Sequence, residues 1–172
     1  MLGLNEEAYL RVIREEIPAA RRFVWILTAD IKDLHVESPR STFRPFLEVL
    51  AGLVSRGVYV RLVHAREPGP RFRSDFDKHP ELLEGELFER ILCPRMHMKV
   101  VIVDGTFAYV GSANLTGAGL GAKSAARRNF EAGSIISDAV EIARLMDFVD
   151  ALYLGDHCIA CGRRDICPEP LA

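Results

Sequence analysis

Apolar positions along the chain recur with two periods. Between residues 5 and 16, Tyr9, Leu10 and Ile13 fall on one side of a helix with Glu and Arg opposite, and Pro18 ends the pattern. Phe23 to Ala29, apolar but for Thr28, is a candidate buried strand. From Phe43, the positions Phe43, Phe46, Leu47, Leu50, Leu53 and Val54 follow a helical period that closes at Gly57, and a strand from Val58 to His64 follows at once. This β-α-β order predicts an α/β fold with a mixed, mostly parallel central sheet and helices on both faces. The polar stretch Glu67 to Asp77, with Pro68, Gly69 and Pro70, reads as a long surface loop, a kind of segment that often carries function.

The second half alternates more. Leu87 to Leu92 is a weaker strand, while Met98 to Val103 and Thr106 to Val110 are strong ones joined by Asp104-Gly105, a tight-hairpin signal. A Gly/Ala/Ser/Lys stretch then leads to a strand over Asn129 to Ile136. A helix from Asp138 to about Leu154 follows, striped with Ile142, Leu145, Met146, Val149 and Leu152. No second half repeats the first. Beyond Gly155 apolar residues are too sparse for an element, so the chain divides into a domain over 1–154 and a cysteine-rich tail over 155–172.

Composition narrows the function. At 172 residues, 49% of them hydrophobic, the chain can bury a core without disulfides. A net charge of −2 excludes a uniformly basic nucleic-acid coat protein, and no apolar run approaches the roughly eighteen residues of a membrane span. The N-terminus Met1-Leu-Gly-Leu-Asn-Glu-Glu has no basic or apolar leader character, so a cytoplasmic location is expected and the four cysteines are not expected to form disulfides.

The densest chemistry lies on the hairpin. If Asp104-Gly105 is a two-residue turn, Val103 pairs with Thr106 and the same arithmetic sets His97 opposite Ser112, with Lys99 and Asn114 as diagonal neighbours. Taken singly, a histidine in a strand or a Ser and Asn near a turn are ordinary structural residues. Four such groups gathered at one end of a hairpin otherwise built of Val, Ile, Ala and Tyr would destabilise a fold unless they served a site or were fully hydrogen-bonded. The pattern His97-x-Lys99, four residues to Asp104, six to Gly111-Ser112-x-Asn114, resembles the phospholipase D superfamily signature at every defined position. The order of strands and helices extends the resemblance from about residue 20 to about 153, and Asn129-Phe130-Glu131 looks like the family's accessory Asn/Glu element.

The resemblance implies a phospholipase D-like sandwich and a phosphodiesterase that needs no metal for catalysis. Lys99 would supply positive charge, while Ser112 and Asn114 donate to phosphoryl oxygens. His97 would attack phosphorus and form a phosphohistidine, with a second histidine of the same kind protonating the leaving oxygen. Glu131 would orient an imidazolium. Asp104, of the wrong parity to face phosphate, would brace the hairpin or a neighbouring cation. No second His-x-Lys exists: the other histidines begin His35-Val36-Glu37, His64-Ala65-Arg66, His79-Pro80-Glu81 and His157-Cys158-Ile159. One chain therefore holds half a site, and a homodimer joining two copies of His97 is expected.

Gly117 to Ser124 imitates a phosphate-binding loop but has Ala122 where glycine is required, so it reads as a flexible loop whose Lys123, Arg127 and Arg128 steer a polyanion. Arg71 and Arg73 in the 67–77 segment suit the same role. Cys158-x-x-Cys161-Gly and Cys167 resemble half of a zinc knuckle, with Cys93 or His157 as fourth ligand. Structural zinc, an iron–sulfur cluster and free thiols all remain open. The expected function is a nuclease, because the chain is short, has one motif and lacks an interfacial amphipathic helix. The alternatives are a phospholipid-directed hydrolase and a noncatalytic nucleic-acid-binding module.

Overall fold

The computed structural model describes residues 1–4, 6–32, 34–38 and 42–171. Its strands are β1 (Leu2–Leu4), β2 (Phe23–Thr28), β3 (His35–Glu37), β4 (Phe43–Pro45), β5 (Tyr59–His64), β6 (Phe88–Leu92), β7 (Val100–Val103), β8 (Phe107–Gly111) and β9 (Ala132–Ile136). Helical winding runs over 6–19 (α1, wound as a wider π-helix over Tyr9–Glu16), Phe46–Ser55 (α2), Pro70–Phe76 (α3), Pro80–Leu83 (α4) and Ala139–Tyr153 (α5).

Seven strands form one mixed sheet in the order β1-β9-β8-β7-β2-β5-β6. The parallel part is β2-β5-β6, where the crossover helices lie, and the pairs β2-β7, β7-β8, β8-β9 and β9-β1 are antiparallel. The expected α/β sandwich is present, and antiparallel pairing extends further than the β-α-β order suggested because the β7-β8 hairpin lies against β2 and carries β9 and β1 beyond it. Alternate residues of the central strands feed two cores. Val24, Ile26, Val60, Leu62 and Val101 pack with Val12, Ile13 and Ile17 of α1 and Leu50 and Leu53 of α2. Trp25, Leu27, Val100 and Ile102 pack with Ile142 and Val149 of α5. Helices thus cover both faces.

Several boundaries differ from expectation; β9 begins at Ala132 rather than Asn129, and β7 at Val100 rather than Met98. Winding continues past Pro18 to Ala19, since the fixed φ of proline is itself helical. Residues Phe43–Pro45 pair with β3 before α2 begins. The segment taken for a surface loop holds α3: Pro70 occupies the start of a helix, where its missing N–H costs nothing, and Phe72 and Phe76, one turn apart, are buried.

On the α5 face, Arg61 of β5 is nearly buried. Its guanidinium lies 3.5 Å from the Tyr153 ring centroid and 4.3 Å from that of Trp25, and Nη1 meets Asp150 Oδ1 at 2.6 Å. Tyr153 donates to Glu89, and burial together with that carboxylate pushes its hydroxyl up to about 12. These contacts clamp α5 to the sheet.

His64, at the end of β5, is fully buried. Arg90 Nε donates to its Nε2 (2.8 Å), so Nδ1 carries the hydrogen and donates to the Arg66 carbonyl (2.7 Å). Burial, reinforced by the Arg90 charge, pulls its pKa below the ordinary value of 6.5. In the window between the lowered folded value and 6.5 the unfolded chain binds the extra proton, so stability rises with pH there and is lost as pH falls below about 6.5. Urea midpoints should therefore drop between pH 7 and pH 5, a drop that His64→Gln diminishes. An unchanged slope in that variant would refute the assignment.

Candidate active site

The carboxyl ends of the parallel strands β2, β5 and β6 open onto one side of the molecule, the usual place for a ligand in such sheets. The residues that follow them, Ala29 and Asp30, Ala65 and Arg66, Pro94 and Arg95, line a polar cavity of about 580 Å³ together with His97, Asn114 and Arg163. His97 comes from the segment that leads into β7. Lys99, two residues on, directs Nζ to the His97 carbonyl (2.8 Å) and stands 3.3 Å from His97 Nδ1. Imidazole and ammonium are thereby held together.

The register of the hairpin corrects the sequence arithmetic. The tight turn forms as expected, with positive φ at Asp104 (55°) and Gly105 (71°) and Thr106 N–H donating to Val103 O (3.1 Å). Thr106 is then an extra residue, a bulge, and the ladder resumes at Val103–Phe107, continuing through Val100–Val110. Gly111 N–H meets Lys99 O at 3.0 Å, so Ser112 does not stand opposite His97.

Ser112 and Asn114 are fixed separately. The Ser112 hydroxyl donates to Glu131 and accepts from Ala132 N–H (3.1 Å), and Asn129 Nδ2 donates to Glu131 Oε1 (3.1 Å). Glu131 thus joins the two motif segments through Ser112 and Asn129. Asn114 Oδ1 accepts from Asp30 N–H (3.1 Å) and from Thr28 Oγ1 (3.3 Å), which leaves its amide N–H groups as the donors available to a ligand in the polar cavity. The motif glycine has a packing reason: Gly111 pairs with Gly133, and a Cβ on either would lie within 2.5 Å of the Tyr109 side chain.

Asp104 lies away from this group. Its carboxylate accepts backbone N–H groups of Arg21 (2.9 Å), Arg22 (2.8 Å) and Phe23 (2.9 Å), tying the hairpin turn to the start of β2. Burial raises its pKa, but the three N–H donors and Arg22 outweigh that and hold it below the usual carboxylate value.

The cations singled out in the sequence are placed elsewhere. Arg128 turns inward, its side chain 8% exposed, over the Tyr9 ring at 5.0 Å and 3.8 Å from Glu6. Arg127 bonds Ser124, Arg73 lies 3.8 Å from Glu67, Arg71 belongs to α3, and Lys123 lines a separate cavity with His35 and Phe43. Arg66, Arg95 and Arg163 frame His97 instead. Their signal was positional: Asp30, Arg66 and Arg95 each lie just past a strand's carboxyl end.

Among the described residues no group of three or more His, Cys, Asp or Glu side chains is arranged to hold a metal ion. Cys93, Cys158, Cys161 and Cys167 form no disulfide; Cys93, Cys158 and Cys161 share the wall of one cavity, and Cys93, Cys158 and Cys167 that of another. The tail is fastened by other means. Arg163 Nη1 donates to Pro94 O (2.6 Å), Glu169 accepts from Leu92 N–H (2.8 Å), and Arg164 Nη1 donates to Leu171 O (2.8 Å). No described helix is long and apolar enough to cross a membrane.

The family model described as cardiolipin synthase, PLD-like domain, matches residues 13–152. No curated protein matches the sequence. Solved structures that share the fold include the following three. NucT from Helicobacter pylori is 18% identical, with 86% of this chain and 91% of that one covered at a TM-score of 0.62. Nuc from Salmonella typhimurium, described as a phospholipase D family member, is 18% identical over 86% and 89% of the two chains, at 0.57. TrmBL2, an archaeal chromatin protein whose structure is described as showing a novel mode of DNA binding, is 15% identical over 89% of this chain and 51% of that one, at 0.58.

Proposed function

The chain belongs to the phospholipase D-like family of phosphodiesterases, and from that premise we propose that it is a nuclease whose nucleophile is His97. The observation that carries the reading is the polar cavity at the strand ends, where the His97 imidazole, flanked by the Lys99 ammonium, meets Asn114 and the arginines 66, 95 and 163. A phosphodiester entering it meets cations and hydrogen-bond donors already gathered at one place. A neutral His97 attacks phosphorus and forms an N–P bond as the P–O bond to the leaving group breaks. A protonated second imidazole gives its proton to the departing oxygen. In the second half, that now neutral group takes a proton from water, whose oxygen attacks phosphorus and releases His97.

The second imidazole is assigned to a second copy of the chain. His64 is buried and engaged at both nitrogens, and neither His35 nor His79 lines the cavity. His157 does not line the polar cavity; it lies on the wall of the adjoining cavity, which His97 also lines, with its ring 6.3 Å from that of Phe148. Nucleic acid is favoured over lipid by the arginines of the cavity and by the DNA binding described for TrmBL2. The name of the family model keeps a phospholipid as the rival substrate.

Purified protein is expected to cleave DNA or RNA, to do so equally in a metal chelator, and to sediment as a dimer. Hydrolysis of phosphatidylglycerol or phosphatidylcholine vesicles with no cleavage of nucleic acid would replace the nuclease reading by the lipid one. Nucleic-acid binding without turnover would leave a binding module.

A further inference from the structure

His97 stands between two cavities of similar size and opposite character. The polar one has been described. On its other side a second cavity, also about 580 Å³, shares Arg95, Met96 and His97 with the first. Its remaining wall comes from Cys93 and Met98, from Phe148 and Leu152 of α5, and from the tail residues His157, Cys158 and Cys161. The family match ends at residue 152, so the tail side of this wall belongs to this chain rather than to the family pattern. The tail is held at this place by the Arg163–Pro94 and Glu169–Leu92 bonds.

The volume lies within the usual range for a small-ligand site, roughly 300–1,000 Å³. The lining is largely thioether, thiol and aromatic, with polarizable sulfur that packs favourably against the faces of flat rings. Phe148 and His157 present ring faces with centroids 6.3 Å apart and planes tilted by 42°, and Phe148 is half exposed although it lines the cavity. Arg95, on the partition, belongs to both spaces. A substrate with its phosphorus at His97 therefore has an anionic part on one side and a flat, weakly polar part on the other.

We infer that the second cavity is a base subsite: it takes the unpaired base of the nucleotide next to the scissile phosphate, with Phe148 and the tail residue His157 as the stacking wall. The inference rests on the nuclease reading and deepens it, because a base held in a duplex cannot leave its stack for such a space without an unpairing cost. The substrate class is accordingly single-stranded or locally unpaired nucleic acid. An extended acyl chain is the rival occupant. The charged partition at Arg95 and the aromatic pair Phe148 and His157 favour the ring.

The test uses the full chain carrying His97→Asn, so that the strand is bound and not turned over. Anisotropy is measured with a labelled single-stranded oligonucleotide, the same strand with abasic positions, its duplex, and phosphatidylglycerol vesicles. The base-bearing strand should bind roughly ten-fold more tightly than the abasic strand, the scale of one base–aromatic stack, and the added substitutions Phe148→Ala or His157→Ala should abolish that difference while leaving abasic binding unchanged. Equal affinity for base-bearing and abasic strands, or equal loss on both in the variants, overturns the subsite and leaves the nuclease reading standing. Binding of vesicles with no binding of any strand overturns the nuclease reading itself.

Discussion

Replacing His97 by alanine is expected to lower phosphodiester cleavage by roughly four orders of magnitude or more while leaving nucleic-acid binding within a few-fold of the native protein, because the covalent route is lost and the charges that hold the phosphate are not. The geometry explains the split. Arg66, Arg95 and Arg163 frame the polar cavity, Asn114 is fixed by Asp30 and Thr28, and Lys99 is anchored on the His97 carbonyl, which survives the substitution. Single-turnover cleavage and strand binding, measured on the same preparation, check it. A loss below ten-fold would remove His97 from the chemistry, and a parallel loss of binding would make it a structural residue.

The second large effect concerns stability. Arg61→Ala removes a cation that meets Asp150 at 2.6 Å, covers the rings of Trp25 and Tyr153, and has only 10% of its side chain exposed. Breaking a buried pair costs about 3–5 kcal/mol, but Asp150 and Glu89 retain 43% and 40% of their side-chain exposure and can be rehydrated, which brings the expected loss to about 2–3 kcal/mol. For a chain of this size that lowers Tm by roughly 5–10 °C. Arg61→Lys should recover little, since an ammonium cannot lie flat on two aromatic faces while bonding a carboxylate. Calorimetry reads the result. A shift below about 2 °C would mean that α5 is held by its apolar stripe alone.

Much of this architecture was legible in the residues because the strands are short, apolar and bounded by Gly, Pro or Asp. Phe23–Thr28, Tyr59–His64 and Ala139–Tyr153 lie close to where their patterns put them. The motif gave His97, Lys99 and Asn114 by identity. What it could not give was register. The Asp104-Gly105 turn is real, yet one unpaired residue, Thr106, shifts every opposing pair, and no spacing rule reveals a bulge. Pro70 shows a different limit, because the same residue opens a loop or a helix and only the burial of Phe72 and Phe76 decides. Arg128 shows a third: a charged side chain in a Gly/Ala stretch reads as exposed until an aromatic partner 119 positions away, Tyr9, receives it. The cavities on either side of His97 depend on strand ends and on the path of the tail, both of them long-range facts.

The central claim is that His97 becomes covalently bonded to phosphorus during turnover. Rapid alkaline quenching of the protein during cleavage of a short single-stranded oligonucleotide, followed by peptide mass spectrometry, tests it directly. The account predicts a nucleotidyl adduct on the peptide carrying His97 that forms and decays at the rate of turnover. Cleavage at full rate with no adduct on His97, or with the adduct on another residue, would contradict it.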